Sequence, residues 1–166
     1  MKLNTLQDLL VEELKDLYSA ESQLIKALPK MAKAASSESL REAFEHHLQE
    51  TEHQLERLDQ IFERLEIKPG RKKCKAMEGL LEEGKDTIAE DAAPMVHDAA
   101  LIASAQRVEH YEIAGYGCAK AFALLVEDPE TAALLDETLE EEAAANDKLT
   151  EIAMSGINQR AAAGAK

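Results

Sequence analysis

Ala105-Gln106-Arg107-Val108-Glu109-His110-Tyr111-Glu112-Ile113-Ala114-Gly115-Tyr116-Gly117-Cys118-Ala119 decides the fold. Positions 105, 108, 112, 115 and 119 are spaced alternately three and four apart, the period of an α-helix presenting one stripe to a core. The stripe extends outward to Leu101 and to Phe122 and Val126, predicting a helix over about His97 to Val126. Every position on it is small or apolar except 112, which is glutamate. A carboxylate on a core-facing stripe is costly unless it is protonated, paired or bound to a cation.

Working outward, Asp128-Pro129 predicts a tight turn, with Pro129 suited to a first helical position. A second long helix follows over about 130–154, with Leu135, Thr138, Glu142, Ala145, Leu149 and Ile152 on its inner face. Toward the N-terminus, Leu10, Leu14, Leu17, Glu21, Leu24 and Leu28 form the same kind of stripe in a helix over about 5–35. Asn4 or Thr5 is its candidate N-cap, and Pro29 is expected to kink or break it near Ile25. Ser36-Ser37 offers the next cap. A helix over about 38–66 follows, with Phe44, Leu48, Thr51, Leu55, Leu58 and Phe62 inward. Lys68-Pro69-Gly70 supplies turn chemistry to end it.

Short turns make each pair of helices an antiparallel hairpin. The connection over 67–96 is long and carries a short predicted helix, Met77 to Ala89. Two hairpins joined by one long crossover define an all-α, ferritin-like four-helix bundle. One domain is expected over 1–166, with a frayed tail over 155–166.

Composition agrees. The chain has 19 basic and 33 acidic residues, a formal charge of −14, and no Trp. Its abundant Ala, Leu, Glu, Lys and Arg favour helix and nearly exclude β-rich folds. The negative field argues against nucleic acid and favours cations. No apolar run is long enough to span a membrane, and the start Met1-Lys2-Leu3-Asn4 carries no leader signature, so a cytoplasmic location is expected. Cys74 and Cys118 have neither disulfide nor zinc-site spacing, and read as small core or surface thiols.

The interrupting carboxylates fall at one height. Glu21 and Glu50 lie about 15 and 14 residues from the turn near Ser36, and Glu112 and Glu142 about 16 and 14 from Asp128, at roughly 1.5 Å per residue. Equal distances from an antiparallel turn mean equal height, so the four glutamates share the waist of the bundle. Four negative charges there match two divalent cations. A single such glutamate is commonly a solvated helix end or an ion pair. Three in phase at matched height point to a metal centre.

On the second helix, Glu50 lies roughly 100° from the Thr51 direction, His47 about 40° and Gln54 about 60°. His53 points nearly away. The phase therefore favours His47 with Glu50, while a small rotation would favour Glu50 with His53, and both stay open. Glu109 and Tyr18, each about 60° from its stripe, can reach the interior. The candidate metal ligands are thus Glu21, His47, Glu50, Glu109, Glu112 and Glu142. His46, His97 and His110 read as surface, Glu140 and Glu141 as solvated, and Tyr18, Tyr111 and Tyr116 as packing residues.

The segments Leu17-Tyr18-Ser19-Ala20-Glu21, His47-Leu48-Gln49-Glu50-Thr51, Val108 to Tyr116 and Leu139-Glu140-Glu141-Glu142 resemble the YciF/YciE family of ferritin-like bacterial stress proteins. The resemblance covers nearly the whole chain and is most specific from Glu109 to Tyr116. It implies a ferritin-like fold, a homodimer and a role in stress responses. The wider di-iron group, which includes bacterioferritin and rubrerythrin, is similar at Glu21, at Glu112 and, in letters, at Glu50-x-x-His53. It departs at Ala145, where that group carries histidine, and no Cys-x-x-Cys module follows. Three functions are in view. The first is a centre of two iron or manganese ions with oxidase- or peroxidase-type chemistry or iron handling. The second is a sequestering module without turnover. The third is a metal-free helical dimer that acts as a structural or interaction module.

Overall fold

The computed structural model describes residues 3–164. The helices are α1 (Leu6–Ala34), α2 (Glu38–Arg64), α3 (Lys75–Ala89), α4 (Pro94–Leu125), α5 (Pro129–Ile152) and α6 (Asn158–Ala162), with a π-helical turn at Ala153–Ile157 before α6. The fold is an all-α bundle of two hairpins, α1–α2 and α4–α5. The crossover between them carries α3, which packs on α1 and α4. Among the described residues no helix is long and apolar enough to cross a membrane.

Thr5, not Asn4, caps α1. Its Oγ1 accepts from the Asp8 amide at 3.1 Å, and Asp8 accepts in return from the Thr5 amide at 3.0 Å, a reciprocal capping box. Pro29 does not break α1, which continues to Ala34. Proline removes one donor, but Leu24, Leu28, Met31 and Ala32 are buried on the opposite face and hold the last turns in place. Pro94 starts α4 at its first turn, ahead of the expected His97, because proline's fixed φ suits that position. Cys74 caps α3, so that helix begins at Lys75 rather than Met77. Asp128 caps α5, and Pro129 takes the first helical position.

The tail is not frayed throughout. The chain kinks at Gly156, Ile157 is buried in the core, and α6 follows. Of the residues read earlier as termini, Met1, Lys2, Ala165 and Lys166 lie outside the described residues. The exposed large apolar side chains, among the described residues, are Leu3, Val96, Leu124, Leu125 and Met154, none of them on α1 or α2.

The core is divided. One apolar cluster, at the α1–α2 turn, contains Leu24, Leu28, Leu40, Phe44, Leu101 and Ile152. The other, at the opposite end, contains Leu10, Leu14, Leu58, Phe62, Ala119 and Leu135. Burial of each such Leu or Phe contributes roughly 1.5–3 kcal/mol. Gly115 lets α4 approach α1, since a Cβ there would stand 2.9 Å from Leu17 Cδ2. Between the two clusters every long helix contributes buried polar side chains: Glu21 from α1, His47, Thr51 and Gln54 from α2, Glu109 and Glu112 from α4, and Thr138 and Glu142 from α5.

Candidate metal centre

His47, Glu109, Glu112 and Glu142 each offer a ligand atom within 4.8 Å of all the others, and all four are buried. The imidazole of His47 is the hub. Its Nε2 lies 3.3 Å from Glu109 Oε2 and 3.8 Å from Glu142 Oε2, and its Nδ1 lies 3.5 Å from Glu50 Oε2. The α2 phase thus turns His47 inward and leaves His53 exposed. Glu50 stands at the edge, a quarter exposed, 3.2 Å from the Nδ1 of the exposed His46.

Glu21 is fully buried, and one of its oxygens accepts the Tyr116 hydroxyl proton. Among the described residues its other oxygen has no hydrogen-bond partner, and none is found for either oxygen of Glu112 or Glu142, for Glu109 Oε2 or for either His47 nitrogen. Buried polar atoms are nearly always satisfied, so unpartnered atoms beside the convergent ligand atoms of His47, Glu109, Glu112 and Glu142 fit a cation. The donor set of carboxylate oxygens and one imidazole nitrogen could hold a metal ion.

The electrostatics follow from burial. Desolvation, with the Glu142 charge, pushes the Glu21 carboxyl up to about 8. Desolvation also raises Glu109 and Glu112 well above the carboxylate range; neighbouring glutamates add to it, while His47 partly offsets it at Glu109. Desolvation alone would lower His47, but Glu109, Glu50, Glu142 and Glu21 surround it and push it up to about 10. At Glu50 partial desolvation is outweighed by the two imidazoles, and its carboxyl is held below the usual range.

Several side chains have roles that the sequence reading did not assign. Tyr116 packs in the core as expected, but it also orients Glu21. Its position four residues after Glu112 was the available signal. Glu141 is not a solvated neighbour of Glu142. Arg57 donates to it from Nη1 at 2.7 Å and Nη2 at 2.5 Å, and Gln54 Nε2 adds a third bond at 3.1 Å. Arg57 also donates to Thr138 Oγ1 at 3.2 Å, a further link between α2 and α5. Tyr18 packs edge-on against Phe62, with ring centroids 5.6 Å apart. Tyr111 turns away from the centre, donating to Asp16 Oδ2 at 2.5 Å beside the Cys74 thiol. Cys74 is buried and Cys118 exposed. His97 is half-buried against the Thr87 carbonyl, and His110 is exposed.

A cavity of about 500 Å³ opens between α2 and α5 and is lined by Glu42, His46, His47, Glu50, Glu109 and Ala145 among others. It leads from solvent to the buried imidazole. Ala145 leaves open the space that a larger side chain would fill.

Comparison with known proteins agrees with this architecture. The family described as "Domain of unknown function (DUF892)" matches residues 5–162. Protein YciF of Escherichia coli (strain K12) is 48% identical over 162 residues, covering 97% of this chain and 98% of YciF. The crystal structure of that E. coli stress protein superposes with a TM-score of 0.91, covering 94% of this chain and 99% of that one. YcfI of Rhodopseudomonas palustris superposes at 0.87 with 45% identity, covering 90% of this chain and 95% of YcfI. A protein of Xanthomonas campestris pv. campestris, 20% identical, shares the fold with a TM-score of 0.69.

Proposed function

This chain belongs to the DUF892 family and is a homologue of a bacterial stress protein, and from that premise we propose that its buried cluster holds two divalent iron or manganese ions that react with oxygen or peroxide or serve iron handling. The observation that carries the reading is the set of unpartnered buried oxygens on Glu112 and Glu142, converging with Glu109 and His47. Glu112 and Glu142 would hold the ions at the centre, His47 and Glu109 on the cavity side, and Glu21 and Glu50 at the two edges. Iron or manganese held there supplies one-electron steps between its divalent and trivalent states.

The remaining residues hold that arrangement. Tyr116 fixes one oxygen of Glu21 and leaves the other free. Arg57 and Gln54 hold Glu141 and tie α2 to α5. The cavity beside His46 and Glu50 gives a small reactant a route inward. A homodimer in the cytoplasm belongs to the same proposal. Leu124 and Leu125, both exposed on α4, offer apolar surface for it, and light scattering in solution measures the mass.

Anaerobic loading with Fe(II), followed by one equivalent of hydrogen peroxide, tests the chemistry. The ferric absorbance is expected to rise at least about tenfold faster than for free Fe(II) or for Glu142→Gln. Binding without that acceleration would leave sequestration as the function. A second reading, a metal-free interaction module, draws on the carboxyls of Glu21, Glu109 and Glu112, which burial pushes toward the protonated form without a cation. Metal content separates the two.

A further inference from the structure

A second cavity, of about 310 Å³, lies under α3 on the other side of Glu109. Its walls are aliphatic: Leu24 and Leu28 from α1, Leu80, Leu81 and Ile88 from α3, and Val108 from α4. Water gains little there, because it finds few hydrogen-bond partners. The volume lies at the lower end of the range for ligand pockets.

Two features show that the space is kept rather than left over. The first is Gly84, buried in the middle of α3, where an added Cβ would meet no atom within 4 Å. A mid-helix glycine costs about 1 kcal/mol relative to alanine, and unlike Gly115 this one permits no close approach. Its effect is to hold the cavity open. The second is the mouth, lined by Lys26, Lys30 and Lys85. All three are exposed, and among the described residues none has an acid within ion-pair distance. In a chain of charge −14, three unpaired lysines around an apolar opening form a local anion-attracting rim.

We propose that this cavity binds a free fatty-acid-type carboxylate, with its chain among the α1, α3 and α4 aliphatic side chains and its head group at Lys26, Lys30 and Lys85. The orientation follows from charge. The lysine rim attracts the head group, and the largely aliphatic interior takes the chain. Aliphatic walls select the chain, and lysine point charges select an anion without demanding a planar fork geometry. The proposal is independent of metal at the neighbouring centre.

Calorimetric titration of the full chain, as purified, with decanoate below its micellar concentration tests it. One saturable site per chain is expected. Gly84→Leu should fill the cavity and weaken binding at least about tenfold, with the thermal midpoint unchanged or raised. The double variant Lys26→Glu/Lys85→Glu, on exposed positions that leave the core intact, should weaken it by about the same factor. Decyltrimethylammonium, with the same chain and opposite charge, should bind at least about tenfold more weakly than decanoate. Absence of saturable decanoate binding would overturn the proposal. So would undiminished binding by either folded variant, or equal affinity for the cationic amphiphile.

Discussion

Glu112 has both carboxylate oxygens buried without a hydrogen-bond donor, an arrangement that costs several kcal/mol in a charged, metal-free state. The protein without metal relieves that cost by binding protons. Glu21 is raised from 4.5 to about 8, so its stabilising contribution is fully present below about 4.5 and is lost as pH rises through about 8. Glu109 and Glu112 shift in the same direction. His47, raised from 6.5 to about 10, contributes below about 6.5 and loses that contribution through about 10. All four act with one sign, so the metal-free thermal midpoint should fall steadily between about pH 6 and pH 9. Glu112→Gln removes one proton requirement and should raise the stability of the metal-free protein and flatten its pH dependence, read by urea denaturation. A flat pH profile would contradict the buried-carboxyl account. Glu21, Glu112 and Glu142 were legible in the sequence because they interrupt apolar stripes at matched height. His47 was legible from phase alone. The bonds of Tyr116 and of Arg57 with Glu141 were not, since periodicity gives the face a side chain occupies and not the partner it meets there.

At the level of the helix, the ends carry the information that sequence reading missed. Asp98 on α4 is fully buried, and its two oxygens accept from the Ser36 and Ser37 amides at 2.8 and 2.7 Å. Ser37 occupies the cap position of α2 but makes no side-chain cap bond. The cap comes from a residue about sixty positions away, and no local pattern announces it. Asp98→Ala should cost about 2–3 kcal/mol, because two charge-assisted bonds at a helix N-terminus are lost together. The C-termini show the opposite case. Glu66 (φ 54°) and Glu127 (φ 60°) sit in the left-handed region, where glycine is favoured, each closing a helix. Ile67 N bonds Phe62 O, and Asp128 N bonds Ala123 O, which completes a Schellman motif at each end. Glu66→Gly and Glu127→Gly should each stabilise the fold by roughly 0.5–1 kcal/mol, the strain relieved less the added chain entropy. Thermal denaturation of each variant checks both. Pro29 shows why boundaries were harder to read than elements: local propensity argued for a break, and packing on the buried face overrode it.

Over the whole molecule, the hairpin topology was legible because turn signals near Ser36 and Asp128 and the long interval between hairpins leave few arrangements. The docked tail was not, since Ile157 follows a glycine and gains its burial only from tertiary packing. The two apolar clusters stabilise the ends of the bundle and leave the waist to glutamate and histidine. A net charge of −14 surrounds that waist and raises the local concentration of cations. Equilibrium metal content is the most direct test of this division. The full chain, depleted and then loaded anaerobically with Fe(II) or Mn(II), is desalted and its bound ions counted beside Glu112→Gln. The account predicts about two ions per chain in the unmodified protein and loss of at least one in the variant. No retained metal in the unmodified protein, or equal content in both, would contradict it.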